Sequence, residues 1–471
     1  RGANRDLEGS MIFEPLTIGN VTFKNRLLRS SIGGRSAYYD GTVSNAWKNF
    51  EFRFAQHGLG GIISATLAIN GYRWSPMEYP QISQDKFIKH LAEGIRAIHT
   101  QDCRYIIQIG DPGYHTQTSL FSQAQDQISS SSGFDLLYGY RSTRKEMSTE
   151  QIEQSVADFG QAARRARETG ADGVEVTATK GYMIQQFLNP AINRRRDRYG
   201  GSVVKRFQFL REVITEVRKQ VGPDFLVGVR ISAHDYNYLP LNLRLPPSWR
   251  LKDYLVGNDI RTYLTYGRWL KEMGVGYLLI TNGFGFINPH DQPGDFPLDE
   301  IRMFVNSTRH LSTKSAVRAT ILNAVPKSIL KKITGVGWHY QEAINLPDAR
   351  RFRDEVGLPI IANGGFQHRS VVEGALATGG CDLVSMARPL LANPDLPELF
   401  RAGKEGPERP CTFCNRCPVR TTLFPLGCYE PKRFDSQDDM EAQILGWSAR
   451  PDFDDALPWD PEEVPAAPPS G

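Results

Sequence analysis

The stretch "STEQIEQSVADFGQAARRARETGADGVEVTA", residues 148–178, joins two patterns of different period. Its first part reads as a helix. Ser148 has Gln151 three residues on, as a capping box requires, and Gly170 supplies the stop. Its last six residues, "GVEVTA" (173–178), are a short, nearly continuous apolar run, the pattern of a strand buried on both faces. The unit then repeats. "KRFQFLREVITEVRKQVG" leads to "FLVGVRIS" (225–232), and "LPDARRFRDEVG" leads to "LPIIANGG" (358–365). Comparable runs are "RLLRSS" (26–31), "GGIISA" (60–65), "YIIQIG" (105–110), "GYLLITNG" (276–283) and "CDLVSMA" (381–387). Eight strands alternating with helices predict an α/β fold of the (β/α)8 TIM-barrel type. The competing arrangement is a doubly wound sheet with a second domain.

Two stretches exceed ordinary connection lengths, 235–258 after the fifth strand and 284–345 after the sixth. Both follow strand ends, where barrels build their sites, so they are expected to form a wall or lid. At the end of strand seven, Gly364 and Gly365 would let backbone N–H groups approach an anion. Arg388 follows strand eight in "SMARPL". This pair of loops is where barrels commonly hold phosphate.

The 471 residues are 40% hydrophobic and 23% charged, the balance of a soluble globular chain. A net charge of +4 is too small to argue for nucleic acid. The charge is uneven: residues 429–471 hold 11 Asp/Glu and 3 Lys/Arg, a balance of −8 that leaves +12 in residues 1–428. A basic body suits anionic ligands. No apolar run approaches the roughly 20 residues of a membrane span, and no signal-peptide core precedes Met11. Residues 1–10 read as an expression remnant, and the protein is expected to be cytoplasmic.

Four of six cysteines fall in "CTFCNRCPVRTTLFPLGC" (411–428). Cys411, Cys414, Cys417 and Cys428 have the spacing C-x2-C-x2-C-x10-C. Such a set can wrap an iron–sulfur cubane or a tetrahedral zinc ion, and spacing does not choose between them. The expected organisation is a barrel over 11–405, a cysteine loop over 406–430 and an acidic, proline-rich tail over 431–471.

"EPLTIGNVTFKNRLLRSS", "QFLNPAINRRRDRYGGSVVKRFQFLREVI" and "DLVSMARPLLANPDLPELF" resemble the old yellow enzyme family of FMN-dependent oxidoreductases, from about Met11 to Asp395. With "CTFCNRC" appended, the chain is most similar to the branch of 2,4-dienoyl-CoA reductase and trimethylamine dehydrogenase. The resemblance implies that FMN lies along Ser30, Ser31 and Ile32 after strand one and near Ala65 and Thr66 after strand two. Gln108 would bond the pyrimidine edge, and Arg230 would place a fixed positive charge beside N1 and O2. Gly364, Gly365, Ala387 and Arg388 would take the phosphate. The same resemblance favours a [4Fe–4S] cluster over structural zinc on the four cysteines.

The departures bear on chemistry. Many relatives follow strand four with a His-x-x-His or His-x-x-Asn pair that polarises a substrate carbonyl. Here "EVTATKGYMIQQF" places Thr177 and Lys180 there, and Tyr182 matches the tyrosine that the dienoyl-CoA reductase branch uses as proton donor. Lys180 is expected to lower the Tyr182 pKa or grip an anionic substrate group. Tyr114 and His115 in "GDPGYHTQ", and His234 in "RISAHDY", are further candidates. The implied activity is hydride transfer between flavin N5 and a small organic substrate, most simply reduction of an activated C=C bond with NAD(P)H as a possible reductant. The alternatives are an oxidative dehydrogenase or demethylase passing electrons through the cluster, and a flavin-binding protein without catalysis. Only 43 residues follow Cys428, so an external ferredoxin or electron-transfer flavoprotein is the expected partner of a cluster. Relatives often form homo-oligomers; no nucleic acid or membrane partner is expected.

Overall fold

The computed structural model describes residues 9–74, 79–117, 123–124, 127–135, 138–237 and 256–446. Most of the remnant expected at the N-terminus, residues 238–255 of the first insertion and the tail beyond Gly446 lie outside the described residues.

The capping box forms as read. Ser148 Oγ accepts from the Gln151 amide at 3.2 Å, Gln151 Oε1 accepts from the Ser148 amide at 2.9 Å, and the helix runs Thr149–Glu168. All eight apolar runs become strands: β1 (Leu27–Arg29), β2 (Gly61–Ala68), β3 (Arg104–Gly110), β4 (Gly173–Ala178), β5 (Leu226–Ser232), β6 (Tyr277–Thr281), β7 (Ile360–Ala362) and β8 (Leu383–Met386). They pair in sequence order, every neighbour parallel, and β8 closes on β1. The fold is a (β/α)8 TIM barrel. Its main core lies between strands and helices, where Val174, Val176, Val227 and Val229 meet Phe159, Phe209 and Val213.

A hairpin precedes the barrel, Leu16–Ile18 paired antiparallel with Val21–Phe23. Its Ile18, Val21 and Phe23 are buried with Leu28, Ile63, Ile106, Leu279, Ile361 and Leu383, which fill the barrel interior. Burying each such side chain stabilises by about 1.5–3 kcal/mol. The hairpin thereby stoppers the N-terminal end.

Two irregularities shape the opposite rim. The register of β2 on β3 shifts between Ile63 and Thr66, a bulge that takes up Ser64 and Ala65. Ser64 Oγ pins it by accepting from the Gln108 amide at 2.8 Å and donating to the Ala65 carbonyl at 2.7 Å. The second is the insertion after β6, which carries helices Leu298–Ser307, Thr313–Ala324 and Lys327–Thr334. Lys314, buried, ties it to the 135–141 segment by donating to the carbonyls of Asp135 (2.6 Å), Tyr138 (2.5 Å) and Arg141 (3.2 Å). Among the described residues no helix is long and apolar enough to cross a membrane.

Candidate active site

A cavity of about 390 Å³ opens over the C-terminal ends of the strands. Ser30, Ser31, Ile32, Thr66, Gln108, Thr177, Lys180, Tyr182, Arg230, Gly364, Gly365, Ala387 and Arg388 all line it. Sequence positions more than 350 residues apart are thus gathered by barrel closure. Three predicted residues are not: Ala65, His234 and Tyr114. Ala65 is buried within the bulge, which turns Thr66 to the cavity in its place. His234 is drawn aside toward Asp348 (Nε2 to Oδ1, 3.7 Å) and stacks on Tyr236 with centroids 5.1 Å apart.

At one end lies a hydrogen-bonded chain. Gln108 Oε1 accepts from Ser31 Oγ at 3.2 Å and from Thr66 Oγ1, while Gln108 Nε2 donates to Glu175 Oε1 at 2.6 Å. Glu175 also accepts from the Tyr277 hydroxyl at 2.9 Å. Burial pushes the Glu175 carboxyl pKa up, against the pull of Arg230 and these donors. Arg230 is 8% exposed, and among the described residues its buried Nε has no partner. An unpaired guanidinium donor is costly unless something completes it. Its Nη2 reaches the Asn363 side-chain oxygen at 3.3 Å.

At the other end, Gly364 and Gly365 have φ of 111° and 84°, and a Cβ on Gly364 would stand 2.9 Å from Asn345 and Ile344. No other residue fits there without strain. Beside them Arg388 presents its guanidinium. An unpaired donor at one end and a glycine cradle with an arginine at the other fit a planar acceptor-bearing ring with a phosphate tail, as FMN has.

Lys180 has a partner that the sequence did not reveal. It is paired with Asp291 from the insertion, both side chains buried. Burial pulls the Lys180 pKa down to about 8, with Asp291 opposing and Arg230 adding to the fall. Asp291 thus answers the Lys180 charge, and Lys180 is not among the groups that shift Tyr182. Burial raises the Tyr182 phenol above its ordinary pKa, while a bond to Thr66 and the charge of Arg230 lower it. Tyr114 turns away and donates to Asp135 at 3.0 Å. His115 lines the cavity as a neutral ring, its pKa lowered to about 4 chiefly by burial.

Asp291 and Glu175 were not among the residues read from sequence. Glu175 left a signal, a lone carboxylate inside the apolar run "GVEVTA". Asp291 left none, because its partner is chosen only when the insertion folds back.

The four clustered cysteines surround one small recess together with Asn415, Tyr429 and Arg433. Cys417 faces both this recess and the cavity. All six cysteines are free, and Cys103 and Cys381 are buried in the core. Among the described residues no group of three His, Cys, Asp or Glu converges on a point fit for a single metal ion.

Comparison with known proteins bears on the fold and the family. The profile of the NADH:flavin oxidoreductase / NADH oxidase family matches residues 11–239. An NADPH dehydrogenase of Bacillus subtilis is 32% identical over 275 residues, 58% of this chain and 73% of that protein. A multifunctional alkene reductase/demethylase of Caballeronia cordobensis is 27% identical over 417 residues, 86% of this chain and 51% of that protein. A 2-naphthoyl-CoA reductase structure superposes with a TM-score of 0.70 at 21% identity, over 88% of this chain and 56% of its own, which shows a shared fold. The chain belongs to the NADH:flavin oxidoreductase / NADH oxidase family. It spans about half the length of several curated relatives.

Proposed function

We propose that the chain binds FMN across this cavity and catalyses hydride transfer to a small organic substrate, reducing an activated C=C bond at the expense of NAD(P)H. The observation that carries the reading is Arg230, a buried guanidinium on the cavity wall whose Nε has no partner among the described residues. FMN bound there would supply the hydride chemistry.

The chain's own residues divide the remaining work. Arg230 offers a fixed positive charge that favours an electron-rich ring, in a site where burial strengthens the interaction. Gln108, held by Ser31, Thr66 and Glu175, keeps its amide in one orientation. Gly364, Gly365 and Arg388 receive the phosphate. Tyr182 holds a proton through neutral pH and is placed on the cavity wall to deliver it to a substrate carbon. Thr177 and Lys180 bound the substrate space; no histidine pair polarises a carbonyl there.

A second reading, oxidation of the substrate with electrons leaving through a cysteine-bound cluster, is favoured by Cys417 standing between recess and cavity. Four thiols around one recess would suit a [4Fe–4S] cluster or a zinc ion. The named alkene reductase/demethylase relative shows that both kinds of reaction occur among similar chains. The test is the visible spectrum with iron, zinc and sulfide analysis, followed by anaerobic titration. Bleaching by NAD(P)H and reoxidation by an enone supports reduction. Bleaching by an amine alone supports the second reading, and colourless protein that refuses FMN overturns both.

A further inference from the structure

Arg388 is held by an unusual set of neighbours. Its Nη1 donates to the Pro293 carbonyl at 2.7 Å and to the side-chain oxygen of Asn415. Its guanidinium carbon lies 4.9 Å from the centroid of the Phe413 ring. Asn415 and Phe413 stand between the clustered cysteines, in "CTFCNRC". Phe413 stacks in turn on Tyr340, with centroids 4.2 Å apart and planes 22° from parallel, and the Tyr340 hydroxyl donates to the Gly365 carbonyl at 3.2 Å. Both arms of the phosphate cradle, Arg388 and Gly365, therefore rest on the cysteine loop.

The loop is itself pinned. Asn415 is 1% exposed, and its Nδ2 donates to the carbonyls of Gln292 (3.1 Å) and Asp295 (3.0 Å). Asn415 and Phe413 have φ of 57° and 53°, a left-handed turn that an aromatic side chain such as Phe413 rarely adopts. Such strain persists only where the surroundings over-determine it. Both bonds of Arg388 use Nη1, so among the described residues Nε and Nη2 carry no bond.

We infer that Asn415 and Phe413 are positioning residues for a phosphomonoester: they fix Arg388 so that its unused edge meets the dianion, and they make phosphate recognition depend on the cysteine loop. The inference rests on the flavin reading above and goes beyond it. A guanidinium pre-set by two bonds and a stacked ring loses little freedom on binding an anion.

The discriminating ligand is riboflavin, which has the ring of FMN and lacks the phosphate. Full-length wild type, Asn415→Ala and Phe413→Leu are freed of flavin, checked for unchanged metal content, and titrated with each ligand by flavin fluorescence. The expected result is FMN binding weakened about tenfold or more in both variants, with riboflavin binding changed less than about twofold. FMN affinity left intact in both variants overturns the inference, and so does an equal loss for both ligands. If either variant loses metal, the other carries the comparison; if both do, parallel titration of metal-depleted wild type shows whether the loop alone sets the phosphate term. Wild type that binds neither ligand defeats the flavin reading itself.

Discussion

Tyr182 and Lys180 are two positions apart yet meet opposite surroundings. The phenol is kept protonated by burial, and the ammonium is answered by the carboxylate of Asp291. Tyr182→Phe is expected to slow C=C reduction about 100-fold while flavin reduction by NAD(P)H stays within about twofold, which separate half-reactions measured by stopped flow would resolve. Lys180 holds its proton below about pH 8 and loses it above. Asp291→Asn removes the charge opposing that loss, so the Lys180 pKa falls further. The alkaline limb of a kcat/KM profile should then move toward acid by about one unit; an unmoved limb would mean that the ammonium has no part in turnover. At this scale sequence conveyed residue types and their places along strands. It could not convey the Lys180–Asp291 pair, which joins the turn after β4 to an insertion more than 100 residues on. Nor could it show that His234 is claimed by Asp348.

Strands and helices were more legible than the segments that join them. A parallel strand covered on both faces has to be nearly all apolar, so its period shows in the composition of six or seven residues. The helix from Thr149 carries its own start signal in Ser148 and Gln151. Among the described residues of the insertion after β6, only the helix Thr313–Ala324 carries such a cap, Ser312 Oγ accepting from the Ser315 amide at 3.1 Å. Leu298–Ser307 and Lys327–Thr334 start after prolines without one. The insertion's contact with the cysteine loop depends on Gly294, where φ is 129° and a Cβ would lie 1.9 Å from the Phe413 carbonyl oxygen. Gly294→Ala is expected to cost more than about 1 kcal/mol in chemical denaturation and to lower FMN occupancy with it. Full stability with full occupancy would show that the two segments do not lean on each other.

Across the whole molecule, closure of the barrel converts eight scattered strand ends into one ring of side chains. The alternation of eight strands with helices predicted that ring over an open sheet; the glycine pair after β7 and Arg388 after β8 then marked the loops suited to a phosphate. The stopper at the other end has its own consequence. With Phe23 and its neighbours filling the floor, the chamber opens at the rim, and under the proposed function electron donor and acceptor would use that opening by turns. Double-reciprocal plots at several donor concentrations should therefore run parallel, the pattern of a ping-pong exchange, while intersecting lines would mean that both molecules stand in the chamber together.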